Sequence, residues 1–224
     1  MEFRISDTFT ASLARLSGQD QKAVKTAAFD LQIDPSNPGL RFHRLDKAKD
    51  TNFWSISVNM DVRLIVHKTE SSILLCYVDH HDKAYEWARN RKIEKHPHTG
   101  AAQLVEIRET IQQVFVQQYT NEPRTKASPF AGKSDDELLC YGVPSEWLDD
   151  VKSADEDTIL DLSAHLPGEA AEALLDIATG KAPRARYCAS ETANAFDHPD
   201  AKRRFRIIEN IKELERALEL PFFR

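Results

Sequence analysis

The side chains with the widest chemical reach in this sequence are its histidines and its clustered cations. His80 and His81 are adjacent, and His96-Pro97-His98 follows shortly after. Imidazoles titrate near neutrality, so such groups carry protons or ligate metals. A zinc site needs further ligands at supporting spacings. None accompanies these histidines, so no metal is expected and His96-Pro97-His98 reads as a solvent-exposed linker. Ala127-Ser128-Pro129-Phe130-Ala131-Gly132-Lys133-Ser134 formally fits a relaxed phosphate loop. A working loop follows a buried strand and presents its backbone N–H groups to phosphate. Here Asn121 to Lys126 is no strand, Pro129 removes a donor, and Asp135-Asp136-Glu137 would repel a triphosphate. Ser134 is expected to cap a helix instead, with Glu137 completing a capping box, and no nucleotide or other cofactor is expected. Lys202-Arg203-Arg204-x-Arg206, with Phe205 inside it, would serve nucleic acid or an acidic partner.

The acidic partner is on the same chain. The formal net charge of −6 divides very unevenly: residues 1–92 carry +2, 93–130 carry 0, 131–182 carry −10 and 183–224 carry +2. An intramolecular contact between the basic cluster and the acidic block is the favoured reading, and the block itself is a poor nucleic-acid binder. Cys76, Cys140 and Cys188 are widely spaced, without a C-x-x-C pair, and suit a reducing compartment. No run of 18 apolar residues is present, and the first residues lack a signal-peptide pattern, so a cytoplasmic protein without a membrane partner is expected.

These groups must be positioned by elements that the periodicities delimit. Phe3-Arg4-Ile5-Ser6 reads as a strand, with Asp7 or Thr8 capping a helix through Phe9, Leu13 and Leu16. A second helix, with Val24, Ala28 and Leu31 on one face, must end before Pro35. After the breakers Pro35 to Gly39, Trp54, Ile56 and Val58 alternate with polar residues as in a half-buried strand. Val62-Arg63-Leu64-Ile65-Val66-His67 and Ile73-Leu74-Leu75-Cys76-Tyr77-Val78 complete an antiparallel meander. Asp82 can cap a helix carrying Ala84, Tyr85 and Ala88. Trp54 and Ile56 are expected in the core, and residues 1–93 are expected to fold without the rest. Leu104, Ile107, Ile111, Val114 and Phe115 hold helical spacing. Residues 134–180 are helical, with Leu139-x4-Pro144-x-Glu146 recurring as Leu162-x4-Pro167-x-Glu169 and suggesting two similar helical hairpins.

Leu40-Arg41-Phe42-His43-Arg44-Leu45, Phe53-Trp54-Ser55-Ile56, Val62-Arg63-Leu64-Ile65 and Val78-Asp79-His80-His81-Asp82-Lys83-Ala84-Tyr85 are, in that order, similar to successive blocks of the RelE/ParE toxin superfamily. The whole chain, with Ser134 to Leu139, Gly142-Val143-Pro144 and His198 to Arg206, resembles the region ahead of the motor in UvrD-type helicases with a RelE-like N-terminus. The resemblance implies an α+β fold: a RelE-like domain (strand, helical hairpin, antiparallel meander, C-terminal helix) over residues 1–95, a helix and linker over 96–130, a small all-helical acidic domain over 131–182, and a basic segment over 183–224.

Ribonucleases of the RelE type activate a ribose 2′-hydroxyl of mRNA against the adjacent phosphate, a step that uses proton carriers and cations. On that analogy Arg63 would bind the scissile phosphate, His80, His81 and Tyr85 would be catalytic, and Arg41, His43 and Arg44 would contact nucleic acid, all converging on one face. Ser55 and Ser57 stand where such ribonucleases carry lysines. The expected function is an interaction or regulatory module associated with a UvrD-type DNA helicase, with degenerate ribonuclease chemistry; the alternative is an active toxin-type endoribonuclease. The partners implied are an antitoxin or a helicase motor domain, and RNA. Without that analogy, Arg63 is a surface arginine paired with Asp61 or Asp79, and His80-His81 is a capping loop.

Overall fold

The computed structural model describes residues 1–107, 128–183 and 194–219. The protein is α+β and divides into two compact units, Met1–Arg91 joined by Lys202–Arg224, and Lys92–Ala201.

The first unit is built on a six-stranded sheet. Strand β1 (Glu2–Ser6) leads into helix α1 (Asp7–Leu13) and, after a tight turn, helix α2 (Gly18–Ile33). Ser6, not Asp7 or Thr8, caps α1: its Oγ accepts from the Phe9 N–H at 3.1 Å while donating to the Cys76 carbonyl at 2.9 Å. One hydroxyl thus joins a helix start to the sheet. Asp7, behind that cap, pairs with Arg204 at 3.3 Å. Burial raises its carboxyl pKa, against the opposing pull of Arg204. Ser17 caps α2 in the same way, through the Asp20 N–H, and α2 stops ahead of Pro35, as that residue requires.

Strands β2 (Phe42–Arg44), β3 (Phe53–Ser57), β4 (Val62–Lys68) and β5 (Ser72–His80) follow, antiparallel in sequence, and helix α3 (His81–Arg89) closes the run. The long connection between β1 and β5 lets these two strands pair parallel. Both sheet faces are covered. Ile56, Leu64, Val66, Leu75 and Val78 pack with Phe9, Leu13, Val24, Ala28 and Leu31 under α1 and α2. On the other face Trp87 of α3 stacks on Tyr77, with ring centroids 4.6 Å apart, and leans on Phe53. Two-sided burial explains the continuous apolar runs of β4 and β5. It also corrects the assignment of Trp54 to the core: Phe53 is fully buried under α3, whereas Trp54 is half-buried at the rim of the opposite layer.

From Lys202 on, the C-terminal basic segment is part of this unit. After helix α8 (Pro199–Arg204), strand β8 (Phe205–Ile207) pairs antiparallel with β1, giving the order β2-β3-β4-β5-β1-β8, and the Ile208 N–H donates to the Phe3 carbonyl at 2.9 Å. Helix α9 (Ile211–Glu219) then lays Leu214, Ala217 and Leu218 into the same apolar cluster. The apolar cluster of residues 1–93 thus also takes in Ile208 and Leu214 from the far end of the sequence. Arg204 pairs with Asp7 of this unit at 3.3 Å.

In the second unit, strands β6 (Arg91–Lys95) and β7 (Ala102–Glu106) form a two-stranded sheet, with Gly100 at φ 74° in the turn. Leu104 lies within β7 and Ile107 directly follows it, so this stretch is not the expected helix; Ile111, Val114 and Phe115 lie outside the described residues. Helices α4 (Asp135–Cys140), α5 (Leu148–Ser153), α6 (Ile159–Ser163) and α7 (Gly168–Ala178) surround Trp147, Leu138, Val151, Leu162 and Leu174. The sequence repeat has a structural counterpart. Pro144 and Pro167 both precede a helical start with near-identical backbone, φ −61° and ψ 143° against φ −53° and ψ 140°. The two repeat glutamates turn to the same hairpin: Glu146 pairs with Lys92 at 3.1 Å, and Glu169 accepts from Gln103 at 2.7 Å. Residues 131–182 carry only helical elements, and the β-hairpin of this unit precedes them. Ser134 and Glu137 form the expected capping box, which holds the Glu137 carboxyl below its usual range, chiefly through the Ser134 N–H.

Leu214→Ala should cost about 2–5 kcal/mol, the range for a large-to-small change in a closed core. Removal of everything after Ala201 should lower the urea midpoint of the first unit further still. An unchanged midpoint on truncation would show that residues 1–91 fold unaided.

Candidate functional site

Register sorts the candidate residues before any chemistry is considered, because residues opposite one another in an antiparallel pair share a face. Ser57 lies opposite Arg63, Ser55 opposite both His43 and Ile65, and Arg63 opposite Asp79. Arg63, Ser55, Ser57, His43 and Asp79 therefore share the face that α3 covers. Arg44 lies opposite Trp54 and Phe42 opposite Ile56, which puts Arg44 on the other face, with the helical hairpin. The expected convergence of all the basic residues on one face does not occur. Arg41 stands just ahead of β2 with φ 45°, the one left-handed non-glycine residue among those described.

At one end of the α3 face, the β3–β4 turn, the end of β5 and the start of α3 come together. The Arg63 guanidinium curls onto the turn, donating to the carbonyls of Asn59 at 3.0 Å, Val62 at 3.1 Å and Met60 at 3.3 Å. It pairs with neither Asp61 nor Asp79. Asn59 holds the same turn from the other side, its Oδ1 accepting from the Asp61 and Val62 N–H groups. His80 Nδ1 lies 2.5 Å from Asp61 Oδ2, and the His81 N–H donates to the Asp61 carbonyl at 2.8 Å. Both partners of the His80–Asp61 pair are more than half exposed, so this is a surface contact of small energetic weight.

The helix following this turn starts at His81, with Asp82 in its first turn and no side-chain cap; Asp82 is not the expected N-cap. Its Oδ1 instead meets His81 Nδ1 at 2.9 Å. The His81 ring sits 4.3 Å from that of Tyr85, one helical turn on. The Tyr85 hydroxyl shares a hydrogen bond with Ser55 Oγ at 3.1 Å, and Ser55 is fully buried. Tyr77, on β5, donates to Asp79 Oδ2 at 3.0 Å. Burial, then the hydrogen bond to Asp79 and its charge, raise the Tyr77 pKa above the ordinary tyrosine value, so the group is a donor at neutral pH. His81, Tyr85 and Ser55 form one contiguous polar chain, and His80 and Asp61 form a second pair beside it. The order of residues in the sequence shows neither the His80–Asp61 contact nor the Tyr85–Ser55 contact. The Asn59-Met60-Asp61 turn marks where Asp61 lies but not what it meets.

The other histidines have structural duties. His96 is buried, against the expectation of exposure. Its Nδ1 accepts from the N–H groups of His98 and Thr99, which fixes the turn of the β6–β7 hairpin, and its Nε2 donates to the Val143 carbonyl at 3.0 Å. His67 is buried beside Asp50 at 3.4 Å. The Cys76 thiol, fully buried, has its pKa pushed well up by desolvation and is no nucleophile. Among the described residues no group of three or more metal-ligating side chains is gathered, and no helix is long and apolar enough to cross a membrane.

No family model and no curated protein matches the chain. Fold and site together define an α+β protein whose sheet carries a polar, histidine-bearing end under a single helix.

Arg63→Ala should lower stability by about 1–2 kcal/mol, because three carbonyls lose a charged donor that water replaces only in part. Arg63→Lys should recover less than half of that, since one ammonium cannot span the same acceptors. Urea unfolding of the two variants measures both; wild-type stability in Arg63→Ala would mean that the guanidinium does not hold the turn.

Proposed function

We propose that the first unit is a RelE-like module that acts through interaction or regulation, in association with a UvrD-type DNA helicase, and that its ribonuclease chemistry is degenerate. The observation that supports this most directly is the engagement of Arg63. Stabilising a phosphorane needs cations free to meet the developing charge, and this guanidinium is committed to the carbonyls of Asn59, Met60 and Val62. Ser55 and Ser57 add no charge on the same face, and Ser55 is buried against Tyr85.

A second reading, a toxin-type mRNA endoribonuclease, draws on a different observation. His81, Tyr85 and Ser55 form a run of proton-carrying groups, and His80 stands beside it on Asp61. The imidazoles would exchange protons with the ribose hydroxyl and the leaving oxygen, and Arg63 would have to leave its turn to meet the phosphate.

The two readings part on one experiment. The purified full chain, incubated with a single-stranded mRNA, should leave it uncut, and its expression should not arrest growth. Ser57→Lys, at a half-exposed position opposite Arg63, should leave cleavage undetectable. Cuts at discrete positions that disappear in His81→Ala and Arg63→Ala would establish the endoribonuclease instead.

A further inference from the structure

The face of the sheet that carries α1 and α2 bears a second cluster, at the β2 edge, which takes no part in the His80–His81 site. Strand β2 ends the sheet and is three residues long. Phe42 on it and Trp54 on β3 meet edge to face, with ring centroids 6.3 Å apart. Both rings are half-buried, packed against the apolar core. Cations lie over them. The Lys68 ammonium is 4.3 Å from the Phe42 centroid and 5.8 Å from that of Trp54, and the Arg44 guanidinium is 6.0 Å from the Trp54 centroid. Neither Lys68 nor Arg44 has a carboxylate partner among the described residues. Arg41, exposed and held at φ 45°, adjoins Phe42.

We propose that this cluster is a docking surface for single-stranded nucleic acid. Its uncompensated cations call for an anionic partner. A carboxylate-rich peptide would satisfy the charge but leave the two rings unused. A polynucleotide matches both, since bases stack on aromatic or guanidinium planes while the intervening phosphates meet cations. A duplex has its base faces already stacked, so the single strand is the fitting form. Stacking and phosphate contact are blind to the sugar, so RNA and DNA should bind alike. The inference is independent of the function proposed above, because Arg63, Ser55 and Tyr85 belong to the opposite face.

The test is fluorescence anisotropy of the full chain with labelled oligouridylate and oligothymidylate of about 15 nucleotides, long enough to span such a surface. Both should bind, with affinities within about threefold of each other, and both should weaken steeply as salt rises. A duplex of the same length should bind more weakly. Arg44→Glu combined with Lys68→Glu should reduce affinity at least about tenfold by reversing two phosphate contacts. The milder pair Arg44→Gln with Lys68→Gln should give a smaller loss in the same direction, and thermal melting confirms that each variant is folded. Arg63→Ala and His81→Ala should bind as the unaltered protein does. Trp54→Phe should remove the tryptophan quenching that accompanies binding. The proposal is overturned by absence of binding, by affinity that survives the double charge reversal in a folded protein, by quenching that persists in Trp54→Phe, or by polyglutamate competing as well as the oligonucleotides.

Discussion

The pairing of Ser57 with Arg63 across β3 and β4 is the constraint on which the first unit depends. With a side-chain period of two, one register fixes which residues every neighbouring strand can present to each face. Because helices cover both faces of β4, no slip by one residue is tolerated: it would carry Leu64 and Val66 out of one core and Arg63 into it. The turn that sets this register is short, and the Arg63 guanidinium and the Asn59 side chain bind it from opposite ends. A residue placed by analogy in chemistry therefore has a mechanical duty that its own sequence context calls for.

How far the sequence was legible depends on how many residues carried each signal. The runs from Ile73 to Val78 and from Val62 to His67, the helix stop ahead of Pro35, and the Ser134–Glu137 capping box each rest on several concordant residues, and the structure contains all of them. Strand β7 rests on five residues, in which Leu104 and the following Ile107 satisfy a helical spacing by coincidence; a window that short does not separate the two periods. Strand β8 was hidden for another reason. Phe205, Arg206 and Ile207 lie in a basic cluster whose composition advertises a surface, and their pairing with β1 depends on residues some two hundred positions earlier. No local pattern encodes such a contact.

Polar anchoring accounts for the misreading of His96. In isolation, His-Pro-His has the composition of a solvated linker. In the folded chain its imidazole accepts from two backbone N–H groups and donates to Val143, so a buried side chain satisfies groups that the hairpin turn would otherwise orphan. Gln103 does similar work further along, donating to the Gly142 carbonyl at 2.9 Å and to Glu169. The repeat glutamates, at equivalent positions of the two helical hairpins, gain meaning from this. Each supplies an acceptor to the same β-hairpin, one to Lys92 and one to Gln103, and so a sequence repeat too short for a solenoid serves as a two-point clamp.

The separation of Arg44 from Arg63 bears on what either face can do. Motif order along a chain groups these residues, and a functional analogy would assign them jointly to one anion. Alternation divides them: His43, between Phe42 and Arg44, looks to one side of the sheet while its neighbours look to the other. On the α3 face the cation is held by backbone acceptors and the neighbouring groups are hydroxyls and imidazoles, an arrangement suited to proton exchange but short of free positive charge. On the opposite face the cations lie over aromatic rings and, among the described residues, pair with no carboxylate, an arrangement suited to binding. Chemistry on RNA would need both sets on one surface. The sheet keeps them apart by its thickness, and a single inserted or deleted residue in β2 would exchange which of the two faces His43 and Arg44 serve.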